Sequence, residues 1–542
     1  MAPVSSSDPT PGRLRRLWRR LRYLSVHLSG RVRDRGRTWF ATHAAVDTRA
    51  LAALRIGVGL LLLVDLALRA RWLRVFYTDA GVLPRETLRA VRPVVSSVSL
   101  HALWGSTTTQ TGLFCLAGLA AMALLVGYRT RLACVVSLVL LVSLHARNPL
   151  VLNGGDSLLR RLLLWGSLLP LGTRWSIDAV RRAPPPTAAS DGGGGAGVAT
   201  TPRTVASVAT LGLFVQVATV YVVNAAIKLR GSGWLDGTAV RYVFQLDRFT
   251  TPLGDLVAGT PAVVTTFGWA WLALLVVAPA LVLASDWRRT AVAAGLLAGH
   301  LGMAATMWLG VFPVVAVVAL LPALRSPVWN RVESAVAPVA ARCRAATAWL
   351  VSRRGVGGIG SLAASTGRPN TGRWVAGGTR AVATLLLVGV LVWNAAALGV
   401  VPVETEAGAV EPERYRWDMF APDPPRAAAW FAAPATTVDG RRVDAFPRPS
   451  AIGDRPPDVA ATYPSVRWRK YLTAVWWHGG DRLRHATAAG LCERWNRRHD
   501  ERLATVSLVV TREPTRLDRP ERERLTTRRL VTHDCRTGDS AP

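Results

Sequence analysis

The sequence predicts an all-α polytopic membrane domain of about nine transmembrane helices, followed by a small α+β domain outside the membrane. The chain has 542 residues, is 50% hydrophobic and has a mean hydropathy of +0.25. Its apolar residues gather into segments of about 17–25 residues, the length that crosses a hydrocarbon core. After residue 403 the long apolar runs stop, and Pro, Arg, Asp and Trp become frequent. The change in composition separates a membrane domain from a water-exposed one.

The apolar segments and the stretches between them define the predicted organisation. The nine predicted spans are 51–69, 110–127, 131–146, 157–173, 204–227, 261–284, 289–307, 309–325 and 380–402. The predicted parts are a basic cytoplasmic amino-terminal segment (1–48), a transmembrane domain (49–325), a basic cytoplasmic loop (326–379), the last helix (380–402) and an extracytoplasmic domain (403–542). The Pro-, Gly- and Ala-rich stretch 181–203 reads as a flexible linker.

Basic residues predict the orientation. Arginines crowd the first 48 residues and the short loops 127–131 and 286–289, and cytoplasmic loops are enriched in Arg and Lys. The apolar segment after residue 48 is too long for a signal-peptide core. We therefore expect a multi-pass protein of the plasma membrane, with a cytoplasmic amino terminus and an outer carboxyl-terminal domain.

A net charge of +32 can indicate a protein that binds nucleic acid. The arginines are scattered over membrane-flanking loops, and no nucleic-acid-binding signature accompanies them. Anionic lipid headgroups are the expected partner instead. The stretch 13–28, which alternates basic and apolar residues at helical spacing, is expected to lie along the inner leaflet.

The positions of the cysteines bear on two questions, a metal site and a disulfide in the outer domain. The five cysteines show no metal-ligand spacing, so the sequence predicts no metal site. Cys492 and Cys535 both fall in the predicted outer domain, where a disulfide is permitted.

The outer domain shows mixed secondary-structure patterns. The segment 430–446 reads as two short strands around an Asp439-Gly440 turn. Residues 481–499 have a helical pattern, and 502–513 have the pattern of a strand.

Lys228 is the first candidate for chemistry. Of 66 basic residues only Lys228 and Lys470 are lysines, and a desolvated amine can lose its proton whereas guanidinium cannot. Lys228 ends the fifth apolar segment, at or just inside the membrane surface, and could act as a general base. The alternatives are a lysine that snorkels at a helix end or one that pairs with Asp236. Lys470 lies in the outer domain without a motif around it.

Polar residues share a helix face with Lys228. Tyr221 and Asn224 precede it at helical spacing, and Gln216 adds a second amide to nearly the same stripe. Trp234 follows after a Gly-rich turn and is expected at the interface.

A second cluster lies between the third and fourth predicted spans. It contains His145, Asn153 and Asp156, with Gly154 and Gly155 allowing close backbone approach to a ligand. The predicted topology puts this cluster on the same outer side as the lysine.

His300 is the third candidate, because it lies in the middle of an apolar span. Ionisable residues at membrane depth are costly and often functional. The alternative is a core histidine with one hydrogen-bond partner.

Several motifs together resemble the horizontally transferred transmembrane (HTTM) family, which includes vitamin K-dependent γ-glutamyl carboxylase. The resemblance covers about residues 45–325. It rests on FYTDAGVLPR (76–85), GYRTRLA (127–133), SLHARNP with NGGDSLL (143–159), LPLGTRWSID (169–178) and YVVNAAIKLRGSGWLDG (221–237). In the carboxylase the lysine that matches Lys228 is regarded as the base for the vitamin K hydroquinone. Gly155-Asp156 stands where the carboxylase has an Asn-His pair, and the outer domain here is smaller.

Two functional hypotheses follow. The first is a membrane enzyme that uses a reduced quinone, similar to vitamin K hydroquinone, or a lipid cofactor. Its predicted catalytic residues are Lys228, Asp156 and His300, and its predicted cofactor-binding residues are His145, Asn153, Tyr221, Asn224 and Trp234. The alternative is a non-enzymatic membrane factor for maturation, export or assembly of secreted peptides or proteins. Both hypotheses place a peptide or protein partner on the outer face.

Overall fold

The computed structural model describes residues 33–182, 203–338, 371–402, 417–448, 454–517 and 524–536. The predicted inner-leaflet stretch 13–28, most of the linker 181–203 and much of the loop 326–379 lie outside the described residues.

The amino-terminal three quarters of the described chain is helical. In chain order the helices are α1 (Thr48–Ala70), α2 (Leu73–Tyr77), α3 (Arg85–Val91), α4 (Pro93–Ser97), α5 (Thr107–Val126), α6 (Thr130–Arg147), α7 (Gly154–Leu168), α8 (Ile177–Arg182), α9 (Val208–Lys228), α10 (Ser232–Leu235), α11 (Thr238–Phe244), α12 (Pro252–Ala258), α13 (Pro261–Val276), α14 (Ala280–Leu283), α15 (Trp287–Thr306), α16 (Phe312–Leu320), α17 (Ser326–Pro338) and α18 (Thr371–Ala397). Short 3₁₀ turns occupy Leu100–Ala102, Pro149–Val151 and Leu321–Ala323.

Within the described residues, five helices are long and apolar enough to cross a membrane, which is compatible with a membrane protein. They are α1, α5, α6, α9 and the Gly377–Ala397 part of α18. Two bent pairs raise the number to seven if each is one span: α12 with α13, bent by 103°, and Phe312–Ala323 with α17, bent by 111°. Helices also cover the predicted spans 157–173 and 289–307, but α7 has only 15 residues. The count of nine stays a prediction.

The sequence determines where helix α9, which carries candidate residues, begins. Ser207 caps its start, since its side chain accepts from the Thr210 N–H at 3.1 Å while the Thr210 hydroxyl oxygen accepts from the Ser207 N–H at 2.8 Å. An apolar run then continues to Lys228. Just before α1 and α9, strands β1 (Ala45–Asp47) and β2 (Thr204–Ala206) pair antiparallel. The two helices therefore start side by side, and their far ends, at Arg69 and Lys228, lie at the other end of the molecule.

Helices α1, α7 and α9 share one apolar core. Gly212 on α9 faces the ring of Trp165 on α7, and a Cβ there would lie 2.3 Å from that ring. The glycine lets the two helices approach closely, which fixes how α7 and α9 present their polar residues to each other.

The carboxyl-terminal domain, meaning the described residues from 417 onward, is α+β. Its strands are β3 (Ala427–Ala432), β4 (Pro434–Thr437), β5 (Arg442–Asp444), β6 (Leu503–Pro514) and β7 (Thr526–Asp534). Strand β6 pairs antiparallel with β3 and β4 along one edge and with β7 along the other, and β5 pairs with β4. Helices α19 (Val466–His478) and α20 (Asp481–Asn496) complete the domain, with a 3₁₀ turn at Ala460–Thr462.

The structure confirms the secondary structure predicted for this domain. The two strands around Asp439-Gly440 are β4 and β5, the helix expected over 481–499 is α20, and the strand expected over 502–513 is β6. Cys492 and Cys535 form a disulfide, with their Cα atoms 5.9 Å apart.

The domain is seated on the helices through a shared apolar core. Trp468 and Tyr471 on α19 pack against Phe76, with ring centroids 5.0 and 5.6 Å away. The Tyr471 hydroxyl donates to the carbonyl of Val82 at 2.7 Å. Because this contact is buried, the carboxyl-terminal domain closes over the helix ends that carry the candidate residues.

Candidate functional site

Lys228 is buried at the end of α9, with only 1% of its surface exposed. Its Nζ donates to the carbonyl of Met419 at 2.8 Å and lies 3.5 Å from the carbonyl of Phe420. The same nitrogen stands 3.4 Å from the ring centroid of Trp234, a cation–π geometry. Asp236, the partner considered from the sequence, instead accepts from the backbone and hydroxyl of Thr238.

The residues that cover Lys228 form a capping segment, 417–423. Asn224 donates to the carbonyl of Trp417 at 2.8 Å, and the Trp234 indole N–H donates to the carbonyl of Phe420 at 2.9 Å. The Gly233 N–H donates to the Asp423 carboxylate at 3.0 Å. Three predicted site residues, Asn224, Lys228 and Trp234, thus converge on main-chain carbonyls of one short segment.

The two lysines of the chain share one electrostatic partner, Asp418. The carboxylate of Asp418 attracts both the Lys228 and the Lys470 amines. Part of the Lys470 side chain is exposed, but the protein packed around its amine lowers the pKa of that amine by desolvation. Repulsion from Arg469 lowers that pKa further, whereas Asp418 and Asp156 oppose the shift. No sequence motif indicated Lys470, and only the docking of α19 brings it to this place.

Asp156 belongs to a buried ion-pair network. Arg69 donates to Asp65 at 2.6 Å and to Asp156 at 2.6 Å, and Arg467 from α19 pairs with Asp65 and lies 3.5 Å from Asp156. His145 Nε2 lies 2.9 Å from the Arg69 guanidinium. The i,i+4 pair Asp65–Arg69 was readable from the sequence, whereas Arg467 had no signal.

This network contains a possible metal-ligand set. One ligand atom each from Asp65, His145 and Asp156 lies within 4.8 Å of the others. Arg69 and Arg467 already neutralise both carboxylates, so we describe the group as an ion-pair network. The sequence prediction of no metal site stays a prediction.

Asn153 and the two glycines after it build the start of α7. The Asn153 side chain accepts from the Gly155 N–H at 2.8 Å, and Asp156 accepts from the Asn153 N–H at 2.8 Å. A Cβ on Gly155 would lie 2.8 Å from the Phe312 Cα, and one on Gly154 would lie 3.1 Å from the Met419 sulfur. In the described structure the backbone amides at this helix start donate to the Asn153 side chain, and the two glycines make room for Phe312 and Met419.

His300 stands in an aromatic box. Its Nε2 lies 3.1 Å from the Tyr221 hydroxyl, and the rings of Trp271 and Phe312 meet its ring edge-on at 5.2 and 5.6 Å. Its Nδ1 is buried without a hydrogen-bond partner among the described residues. Among the predicted site residues, the Nδ1 of His145 is likewise buried without a partner in the described residues.

The three predicted catalytic residues therefore occupy neighbouring environments. Among the described residues, no hydrogen bond or ion pair joins Lys228 to Asp156 or His300 directly. Met419 and Phe312 stand between them, because Met419 contacts both Lys228 and the start of α7, and Phe312 contacts both His300 and Gly155. The sequence pointed to the region in which these three residues lie. The position of the capping segment determines how they are separated from one another.

Comparison of this chain with models of known protein families, with curated proteins and with solved structures found no match.

Proposed function

We propose that the chain is an integral membrane enzyme of HTTM type, in which Lys228 is a general base toward a reduced quinone bound from the outer leaflet. The observation that carries the proposal is the burial of Lys228, one of two lysines in a chain with 64 arginines, against the Met419 carbonyl and the Trp234 ring. Amines can exchange a proton in such a place, and guanidinium cannot. The resemblance of residues 221–237 to the carboxylase supports the same role.

The residues around His300 fit a quinone. A planar aromatic ligand suits walls made of Trp271 and Phe312, and the free His300 Nδ1 offers a partner for a ligand oxygen. A reduced quinone supplies an O–H group of weak acidity. His300 and Tyr221 would hold its oxygen, and Trp234 would keep water away from Lys228.

Lys228 is covered by the capping segment, so the proposal requires that segment to move. The amine leaves the Met419 carbonyl when the segment lifts, and it then faces the space vacated beside Trp234. Asp418 moves with the segment, because it follows Trp417 directly. Loss of the Asp418 charge would favour the neutral amine, which is the form that accepts a proton.

The test uses the full chain purified in maltoside detergent, with reduced vitamin K as the probe. Under air the hydroquinone gives the quinone, and dioxygen takes up its two electrons and two protons as hydrogen peroxide. We expect the wild type to accelerate this oxidation and Lys228→Arg to abolish the acceleration, because guanidinium does not act as a base. Arg230→Lys, at an exposed position just beyond the end of the same helix, is the control and should keep the rate.

Thermal unfolding must accompany the rates, since Lys228 also holds the capping segment. A folded Lys228→Arg protein with the wild-type rate would contradict the proposal, as would a wild type that does not accelerate the oxidation.

A second function has its own support. Asn224, Lys228 and Asp156 all contribute to seating the carboxyl-terminal domain, through Trp417, Met419 and Arg467. We propose as the alternative a non-enzymatic factor that presents this domain to secreted peptides or proteins. Such a factor would keep its cellular function in a folded Lys228→Arg variant.

A further inference from the structure

A set of buried hydrogen-bonding groups without partners lies below the capping segment, between α7 and α9. It comprises Arg161 Nη1, the Trp417 indole N–H and both polar atoms of the Gln216 amide, and none of them has a hydrogen-bond partner in the described residues. Gln216 has no exposed surface and Trp417 only 3%. Buried polar groups are normally satisfied, so several together mark a place where a polar ligand can bind.

The elements bring these groups to one place. The Arg161 guanidinium lies 4.5 Å from the ring centroid of Trp417, so the first two groups are in contact. Gln216 is one helical turn along α9 from Gly212, and Arg161 is one turn along α7 from Trp165, whose ring packs on Gly212. Since α7 and α9 start at opposite ends, Gln216 and Arg161 stand at about the same height.

Access to Arg161 comes from the side of the helix bundle. Ser157, Arg161, Leu164 and Leu168 are among the less buried positions of α7 and follow each other at helical spacing. They form a stripe that borders the buried core residues Leu158 and Trp165, and Arg161, one turn from Trp165, lies at that border. A ligand could therefore enter laterally, from the lipid, and reach the guanidinium.

The donors define the chemistry of the ligand. Guanidinium, indole N–H and amide N–H groups together suit an anionic oxygen, and Arg binds phosphate with two parallel hydrogen bonds. The depth also fits a headgroup, because Arg161 lies two turns from the start of α7, at the end of the bundle that carries the carboxyl-terminal domain.

We propose that Arg161, Trp417 and Gln216 bind a phosphate group, that of a phospholipid headgroup entering from the lateral face of α7. The bound phosphate satisfies the donors and holds Trp417, the first residue of the capping segment. The lipid thus becomes a structural part of the closed site. This proposal does not depend on whether Lys228 is catalytic.

The test measures lipid-dependent thermal stabilisation of the full chain in maltoside detergent, which has no phosphate. Dioleoyl phosphatidylglycerol is compared with dioleoylglycerol, which has the same acyl chains without the phosphate. We expect a rise in melting temperature with the first and a much smaller one with the second. Equal shifts would overturn the proposal. A third arm with inorganic phosphate distinguishes the source, since a full shift there would assign the same donors to a free anion.

Two variants and one control locate the effect. Arg161→Met removes the charge, and we expect the phosphatidylglycerol concentration at half-maximal shift to rise about tenfold, the scale of one lost charge-assisted hydrogen bond. Gln216→Leu should weaken the response less. It should also leave the lipid-free protein as stable as the wild type or more so, because it removes a buried amide without partners. Arg230→Met is the control, since Arg230 is exposed and bonds to the Leu398 carbonyl. An unchanged response in Arg161→Met would overturn the assignment even if the wild type binds the lipid.

Discussion

The amine of Lys228 donates to the main-chain carbonyl of Met419 across 191 residues of sequence. A buried amine thus holds a backbone segment that has no helix or strand of its own. The same carbonyl lies 3.3 Å from the Asn224 amide. Polar groups at the end of a membrane helix therefore fix the path by which the chain enters the carboxyl-terminal domain.

Replacing Lys228 with Met should loosen this connection. The change removes a hydrogen bond and a cation–π contact from a buried place, and we expect a loss of about 1–3 kcal/mol in the free energy of unfolding. Limited proteolysis should then cut the capping segment faster than in the wild type. Arg230→Met, at an exposed position just beyond Lys228 in the chain, should change neither the free energy of unfolding nor the cutting rate. An unaltered cutting rate in Lys228→Met would mean that the amine does not hold the segment.

Replacing Arg467 with Met should be more severe. Arg467 pairs with Asp65 and stands beside Asp156, both buried, and loss of one partner of a buried pair costs about 3–5 kcal/mol. The measurement is thermal unfolding in detergent. Arg482→Met is a matched control, because Arg482 also joins the carboxyl-terminal domain to the helices, but through the exposed Glu86 at 2.9 Å. That control should cost about 0–1 kcal/mol.

A second substitution separates charge from packing at this network. Adding Asp65→Asn to Arg467→Met removes the carboxylate that has lost Arg467 and keeps only Arg69, so the double variant should recover part of the lost stability. Strict additivity of the two changes would show that the ion pair does not couple the two domains.

The Cys492–Cys535 disulfide should form in cells and should stabilise the carboxyl-terminal domain. It closes a loop of 43 residues between α20 and the end of β7, for which a contribution of about 2–4 kcal/mol is typical. Alkylation followed by mass spectrometry should find both thiols blocked before reduction and free after it. Since disulfides persist in oxidising compartments, free thiols in protein taken from intact cells would contradict the outer location that we propose.

His101 predicts a pH dependence of stability. Burial, with repulsion from Arg147 and Arg69, lowers the pKa of His101 to about 4, against about 6.5 in an unfolded chain. The unfolded state therefore binds more protons between these pH values. The contribution of His101 to stability is complete above about pH 6.5 and is lost as the pH falls toward 4. The loss attributable to this residue is at most about 1.4 kcal/mol per pH unit.

The measurement is the melting temperature between pH 4 and 7 for the wild type and for His101→Gln. Glutamine keeps a polar group near the Ser143 hydroxyl, which lies 2.7 Å from His101 Nδ1. The variant should show a shallower fall with acid, and identical slopes would exclude His101 as the titrating group.

Much of the carboxyl-terminal fold was predictable because its signals are local. The Asp439-Gly440 turn specifies the β4–β5 hairpin, with Gly440 at a φ of 84°, and the alternating apolar residues of 502–513 specify β6. The count of membrane spans is less certain from the sequence, because an apolar run does not reveal a bend. The segment 252–276 is apolar enough to span as one helix, but it breaks by 103° between Ala258 and Pro261.

The sequence by itself determined that Lys228 and His300 are unusual, because an amine or imidazole in or beside an apolar run has a high cost whatever the fold. It also set Asp156 apart, as a carboxylate at a helix start between two predicted spans. It could not determine their partners. Lys228 bonds to a carbonyl near residue 419, Asp156 to arginines at 69 and 467, and His300 to a tyrosine at 221. Only the tertiary structure decides such pairs, since a main-chain carbonyl has no sequence signature and Arg467 is one of 64 arginines. The second lysine, Lys470, is attracted by the same Asp418 carboxylate as the first for the same reason, through the docking of α19 on the helix ends.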